Sequence, residues 1–145
     1  MRILGVDYGE RRIGLAVSDE LGIAAHGLPT ANVRSMDEAV RQVVEAVAQH
    51  IVGRVIVGLP LNMDGSSGPR AEVTVAFCEK CRETLAKRGL DVPVETFDER
   101  LTTMRARQTL HEMGLEERKQ RSHVDRVSAV LLLQDYLQTT SARRG

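Results

Sequence analysis

A single α/β domain, one five-stranded mixed sheet flanked by helices, is the fold class this sequence predicts. Three observations carry the prediction. The chain has 145 residues, 42% hydrophobic and 28% charged, which suits one domain with a core that needs no disulfide staples. Its first third alternates apolar and small residues between tight turns, the pattern of an antiparallel meander. After it, short apolar runs alternate with helix-period stretches, and that order demands crossover connections and parallel strands. No repeat, linker or low-complexity segment interrupts the chain. Residues 1–140 therefore read as one domain and 141–145 as a C-terminal tail.

The elements follow in order. Ile3 to Val6 is a buried strand, and Gly9-Glu10-Arg11-Arg12 is a turn. Ile13, Leu15 and Val17 alternate with small residues, so a second strand runs back. Gly22 turns the chain again, and Ile23 to Val33 supplies a third strand. Ser35-Met36-Asp37-Glu38 matches a capping box, which opens a helix with Val40, Val43, Val44, Val47 and Ile51 on its apolar face. Gly53 is expected to end that helix. Arg54 to Leu59 is a parallel strand, and Pro60 to Pro69 a loop. Pro69 starts the next helix, with Val73, Phe77, Cys81 and Leu85 as its stripe and Gly89 as its stop. Val92 to Phe97 is the last strand. Thr102 or Thr103 caps a helix reaching about Met113, and Gly114 to Arg121 is polar. Ser122 opens a final helix whose apolar run, Val127 to Leu133, packs on the sheet.

Composition narrows the function. Net charge is zero, so no nucleic-acid partner is announced by bulk charge. Of the 20 basic residues 17 are arginine, which suits bidentate phosphate contacts and equally reflects codon bias. Aromatic residues are only 3%, which argues against a base-stacking platform. No apolar stretch is long enough to cross a bilayer. The N-terminus reads as folded structure from its first residues, so a cytoplasmic location is expected. Cys78 and Cys81 form C-x-x-C on a helical stretch with no second pair, and four scattered histidines match no zinc spacing. They read as small apolar residues on one helix face.

The acids are more informative. In "GVDYGERRIGLAVSD", Asp7 closes an apolar strand just before a turn. Asp98 and Glu99 close the last strand, and Asp125 stands in the first turn of the final helix. Carboxyl ends of parallel strands converge on a crevice. Carboxylates gathered there repel one another unless a hard divalent cation, Mg²⁺ or Mn²⁺, sits between them. Such ions support phosphodiester hydrolysis. Each acid also has a local explanation: an Asx-turn at Asp7, helix capping at Asp125, pairing with Arg100 or solvation at Asp98 and Glu99. Neighbouring strand residues face opposite ways, so at most one of Asp98 and Glu99 aims at the site. Seven basic residues between Arg100 and Arg126 against four acids form a phosphate track or a solvated helix face. Asn62, Asp64 and Ser66 offer phosphate or ribose contacts, or simply a turn set by Asp64-Gly65.

"GVDYGERRIGLAVSD", "GLPLNMDGSSGPRA", "DERLTT" and "VDRVSAVLLLQDYL", in that order, resemble the YqgF/RuvX family of pre-16S rRNA nucleases, also called Holliday-junction-resolvase-like proteins. The resemblance implies an RNase H-like fold and divalent-metal-dependent cleavage of nucleic acid. It also implies trimming of the 5′ end of pre-16S rRNA, with branched DNA as a competing substrate and ribosomal particles as partners. Carried onto this chain, it makes Asp7, Asp98, Glu99 and Asp125 the catalytic and metal-binding acids. Tyr8, Gly9, Arg11, Arg12, Asn62, Asp64, Ser66, Arg100, Thr102 and Thr103 are the expected substrate contacts. In related resolvases the second acid sits on strand four, whereas this chain has Gly58-Leu59-Pro60 there and must take it from strand five. Two other classes stay open: an actin-like ATPase or sugar kinase, whose phosphate loop the Asp7-Tyr8-Gly9 turn resembles, and a non-catalytic RNA-binding assembly factor. A symmetric junction would call for a two-fold homodimer.

Overall fold

A computed structural model describes residues 1–62, 64–98 and 128–140. Strand β1 (Arg2–Tyr8) buries Ile3, Leu4 and Val6, and β2 (Arg12–Ser18) returns antiparallel to it, pairing Leu4 with Val17 and Asp7 with Gly14. The turn between them is closed by the Gly9 N–H donating to the Arg12 carbonyl at 2.9 Å. A Cβ on Gly9 would lie 2.8 Å from that oxygen, so glycine is required there.

The expected third strand is broken in two, β3 (Ala25–Gly27) and β4 (Ala31–Asn32), both paired with β2. Leu28 still donates to Leu15, but Pro29 has no N–H to continue the ladder. Among the described residues the sheet therefore has six strands, in the order β3-β2-β1-β5-β6 with β4 also on β2.

Helix α1 (Met36–His50) begins where the sequence predicts. The Ser35 hydroxyl accepts from the Glu38 N–H, and the Glu38 carboxylate reaches back to the Arg34 N–H. Its end differs from expectation: Ile51, in the left-handed region at φ 53°, is the C-cap, and its N–H donates to Val47. Gly53 belongs instead to β5 (Val52–Leu59), where a Cβ would strike the Met1 side chain. Ile51 is thus 85% exposed rather than on the apolar face.

Strand β5 is parallel to β1, and β6 (Val94–Asp98) is parallel to β5. Helix α2 (Pro69–Lys87) buries Ala71, Thr74, Phe77, Cys78, Cys81 and Leu85. Val73, expected in the stripe, lies on its flank and is 42% exposed. A last helix, α3, covers 128–140. The predicted helix from Thr102 or Thr103 and the start of the last helix at Ser122 lie outside the described residues.

Pleating sorts the side chains into two layers. Leu4, Val6, Leu15, Val17, Val55 and Val57 join the buried faces of α1 and α2. Ile3, Ala16 and Ile56 pack on the opposite side against Ala129, Leu133 and Leu137 of α3. Among the described residues, no helix is long and apolar enough to cross a membrane.

Candidate active site

Asp7 is half-buried at the carboxyl end of β1, one residue short of the turn. Pleat alternation puts it on the same face as Ile3 and Gly5, the face that α3 covers. Its partner on β2 is Gly14, and on β5 the residue following Val57, the partner of Val6, is Gly58. A carboxylate flanked by two glycines has no side chain beside it on either neighbouring strand. Glycine inside a strand marks a place where a ligand or another backbone comes close, a signal that was present in the sequence and that the acids alone did not supply.

Gly5 sets how near α3 comes. A Cβ there would lie 3.0 Å from the Leu133 Cβ and 3.2 Å from the Ala129 carbonyl. Further along, Leu137 lies against Gly22, and the Tyr136 hydroxyl accepts from Arg54 Nη1 at 2.8 Å. Helix α3 therefore runs opposite to β1, and residue 128 is its described end nearest Asp7.

Asp98 is placed differently. It pairs with Leu59 and is exposed, whereas the preceding Phe97 meets Tyr136 of α3 edge to face at 6.0 Å and 86°. Alternation therefore turns Asp98 toward the α2 side, away from the face that Asp7 occupies. Strand parity therefore starts the two side chains on opposite faces of the sheet. Glu99, Arg100, Thr102, Thr103 and Asp125 lie outside the described residues. Among the described residues, no three metal-ligating side chains form a cluster.

The other expected contacts divide into groups. Tyr8 stacks on Phe77 with ring centroids 4.1 Å apart and planes 4° from parallel. Burial, reinforced by the Glu10 carboxylate, raises its phenol above the usual range, so it stays a hydrogen-bond donor at neutral pH. Gly9 shapes the turn. Arg11 is exposed, and its carbonyl accepts from Val33; Arg12 is half-buried. Asn62, Asp64 and Ser66 are knitted together: Asp64 Oδ1 accepts from both the Ser66 N–H and hydroxyl, and Asn62 Nδ2 donates to Ser66 Oγ. Cys78 and Cys81 are free and buried, and burial pushes their thiols up to about 11 and about 12. They are packing groups with little thiolate character.

The family model for RuvX, described as Holliday junction resolvase, matches residues 1–139. The chain belongs to the RuvX family. A protein of Acetivibrio thermocellus named "Putative pre-16S rRNA nuclease" is 44% identical over 138 residues, covering 94% of this chain and 95% of its own length. A relative of the same name from Chloroflexus aurantiacus strain J-10-fl is 46% identical over 143 residues, covering 99% of this chain and 88% of its own. Among solved structures, Thermus thermophilus RuvC in complex with a Holliday junction substrate aligns at TM-score 0.54 with 18% identity, covering all of this chain (100%) and 96% of that one. The yeast mitochondrial Holliday junction resolvase Ydc2 aligns at TM-score 0.58 with 10% identity, covering 98% of this chain and 80% of that one. At such identities the likeness shows the fold, and the fold of this RuvX chain is RNase H-like. A half-buried Asp7 carboxylate, with a glycine on each neighbouring strand, fits a hard divalent cation and the oxygen ligands it prefers.

Proposed function

We propose that this chain is a divalent-metal-dependent nuclease that hydrolyses phosphodiester bonds at the 5′ end of pre-16S rRNA, in the cytoplasm and on ribosomal precursor particles. The observation that carries this reading is Asp7, half-buried between glycines on the α3 face of an RNase H-like sheet. The names of the relatives support the substrate.

Asp7, Glu99 and Asp125 would hold the cation, Mg²⁺ or Mn²⁺. Asp98 turns toward the α2 side, which leaves Glu99 of the pair as the proposed second ligand. Asp125 precedes by three residues the first described residue of α3, on the side nearest Asp7. The ion supplies Lewis acidity toward the scissile phosphate and the attacking water. Asp7 contributes a ligand whose position the ladder fixes, so little reorganisation accompanies the reaction. Arg11, Arg12 and Arg100 would hold phosphates on either side, with Thr102 and Thr103 as neutral donors.

The description of the matching family, Holliday junction resolvase, supports a second reading, cleavage of branched DNA, for which a symmetric junction would call for a two-fold dimer. A cleavage assay separates the two. Wild-type protein should cut a 5′-extended 16S precursor faster than a four-way DNA junction, and EDTA should stop it. The Asp7→Asn variant should lose more than ~100-fold in rate, since even outer-sphere partners of a metal typically cost 10–100-fold. Its melting temperature should stay within a few degrees of wild type. Undiminished cleavage by Asp7→Asn would refute the metal centre, and RNA binding without cleavage under any cation would leave a non-catalytic assembly factor.

A further inference from the structure

Across the sheet edge from Asp7 lies a cleft of about 110 Å³, lined by Tyr8, Glu10, Pro60, Pro69, Arg70 and Val73. It sits beyond the carboxyl ends of β1 and β5, against the first turns of α2. We infer that this cleft receives the base of an unpaired nucleotide next to the scissile phosphate, with Arg70 on that nucleotide's backbone.

The inference rests on the nuclease reading, and the cleft's size, lining and position carry it. A closed cavity of ~150 Å³ takes up benzene, so an open cleft of about 110 Å³ is on the scale of one aromatic ring. Pro60, Pro69 and Val73 give it apolar walls suited to the faces of a base. The polar groups are few: the Tyr8 hydroxyl, the Glu10 carboxylate and the Arg70 guanidinium. A carboxylate accepts from amino groups on a base edge, and a guanidinium pairs with phosphate. Thr74 also lines the cleft, but its hydroxyl already donates to the Arg70 carbonyl at 2.9 Å.

Position links cleft and site. Asp7 and Tyr8 are consecutive, and pleating sends them to opposite faces. A nucleic-acid strand crossing this edge can present one phosphate to Asp7 and tuck a neighbouring base beside Tyr8. A base inside a duplex has both faces stacked and cannot enter, so the cleft selects single-stranded or unpaired substrate.

The test is equilibrium binding of a short single-stranded oligonucleotide carrying 2-aminopurine, followed by its fluorescence, with Asp7→Asn as background to prevent cleavage. Val73→Trp fills the cleft at an exposed position. It should weaken binding about tenfold, the scale of losing one base contact. Arg70→Ala, also at an exposed position, should lower the salt dependence of binding by about one phosphate. The same label in a duplex should bind no better to the parent than to Val73→Trp. Unchanged affinity in Val73→Trp with an unchanged salt slope in Arg70→Ala overturns the cleft, while cleavage by the wild type would still uphold the nuclease reading. Cleft-dependent binding by a protein that cleaves nothing supports the cleft and removes that reading.

Discussion

On one side of the sheet, α1 and α2 bury a continuous layer of valine, leucine and phenylalanine; on the other, α3 rests on Ile3, Ala16 and Ile56 across a surface thinned by Gly5. The first side is filled by large side chains such as Phe77, Leu4 and Leu85. The second brings backbones together, so that helix and strand approach at the distance a glycine allows. Asp7 lies on this second side, at the sheet edge, where its strand neighbours are again glycines. The comparison teaches a division of labour. Bulk on the α1/α2 side supplies stability, and on the α3 side glycine lets helix and strand backbones meet beside the proposed metal ligand Asp7.

The strongest challenge to that division is Phe77→Ala. It deletes a fully buried ring together with its stack on Tyr8. Urea unfolding should show a loss of about 3–5 kcal/mol. A loss below about 1 kcal/mol would mean that this side is not the stabilising one.

Gly5→Ala probes the other side. The new methyl would force the Ala129 carbonyl and Leu133 outward by a few tenths of an ångström. Overpacking costs about 1–3 kcal/mol, and the stiffer unfolded chain returns up to about 1 kcal/mol of it. Cleavage measured well below the melting temperature should nevertheless fall by about tenfold or more, because small misplacements of catalytic groups are expensive in rate. Full activity in a measurably destabilised Gly5→Ala protein would break the link between close approach and function.

The smallest effect belongs to Ile51→Gly. A β-branched residue at φ 53° costs about 1–2 kcal/mol, and this side chain is almost wholly exposed, so little packing is lost. The variant should gain about 1 kcal/mol in urea unfolding and cleave as wild type does. Destabilisation would show that the isoleucine side chain makes a contact worth more than its backbone strain.

Much of this division was legible in the amino-acid order. The capping box at Ser35, the proline at the start of α2 and the alternation in β1 and β2 are local signals, and local signals set local structure. The misreadings share a cause. Ile51 fits a helical stripe by spacing, but the following strand had to begin at Val52, and that takes the chain out of the helix. Val73 matches the apolar period of α2, yet the face that touches the sheet is centred on Thr74, Cys78 and Cys81. Pro29 was visible in the third strand, but its effect depended on whether a partner needed that N–H.

By itself the sequence determined the fold class and, apart from the split third strand, the order of the described strands and helices, because apolar periodicity and turn chemistry act over a few neighbouring residues. Only the tertiary structure decided which faces Asp7 and Asp98 take. Asp7 and Asp98 look equivalent as strand-end carboxylates, and nothing local relates the pleat of one strand to that of another. The ladder through β5 does, and it sets them on opposite sides of the sheet.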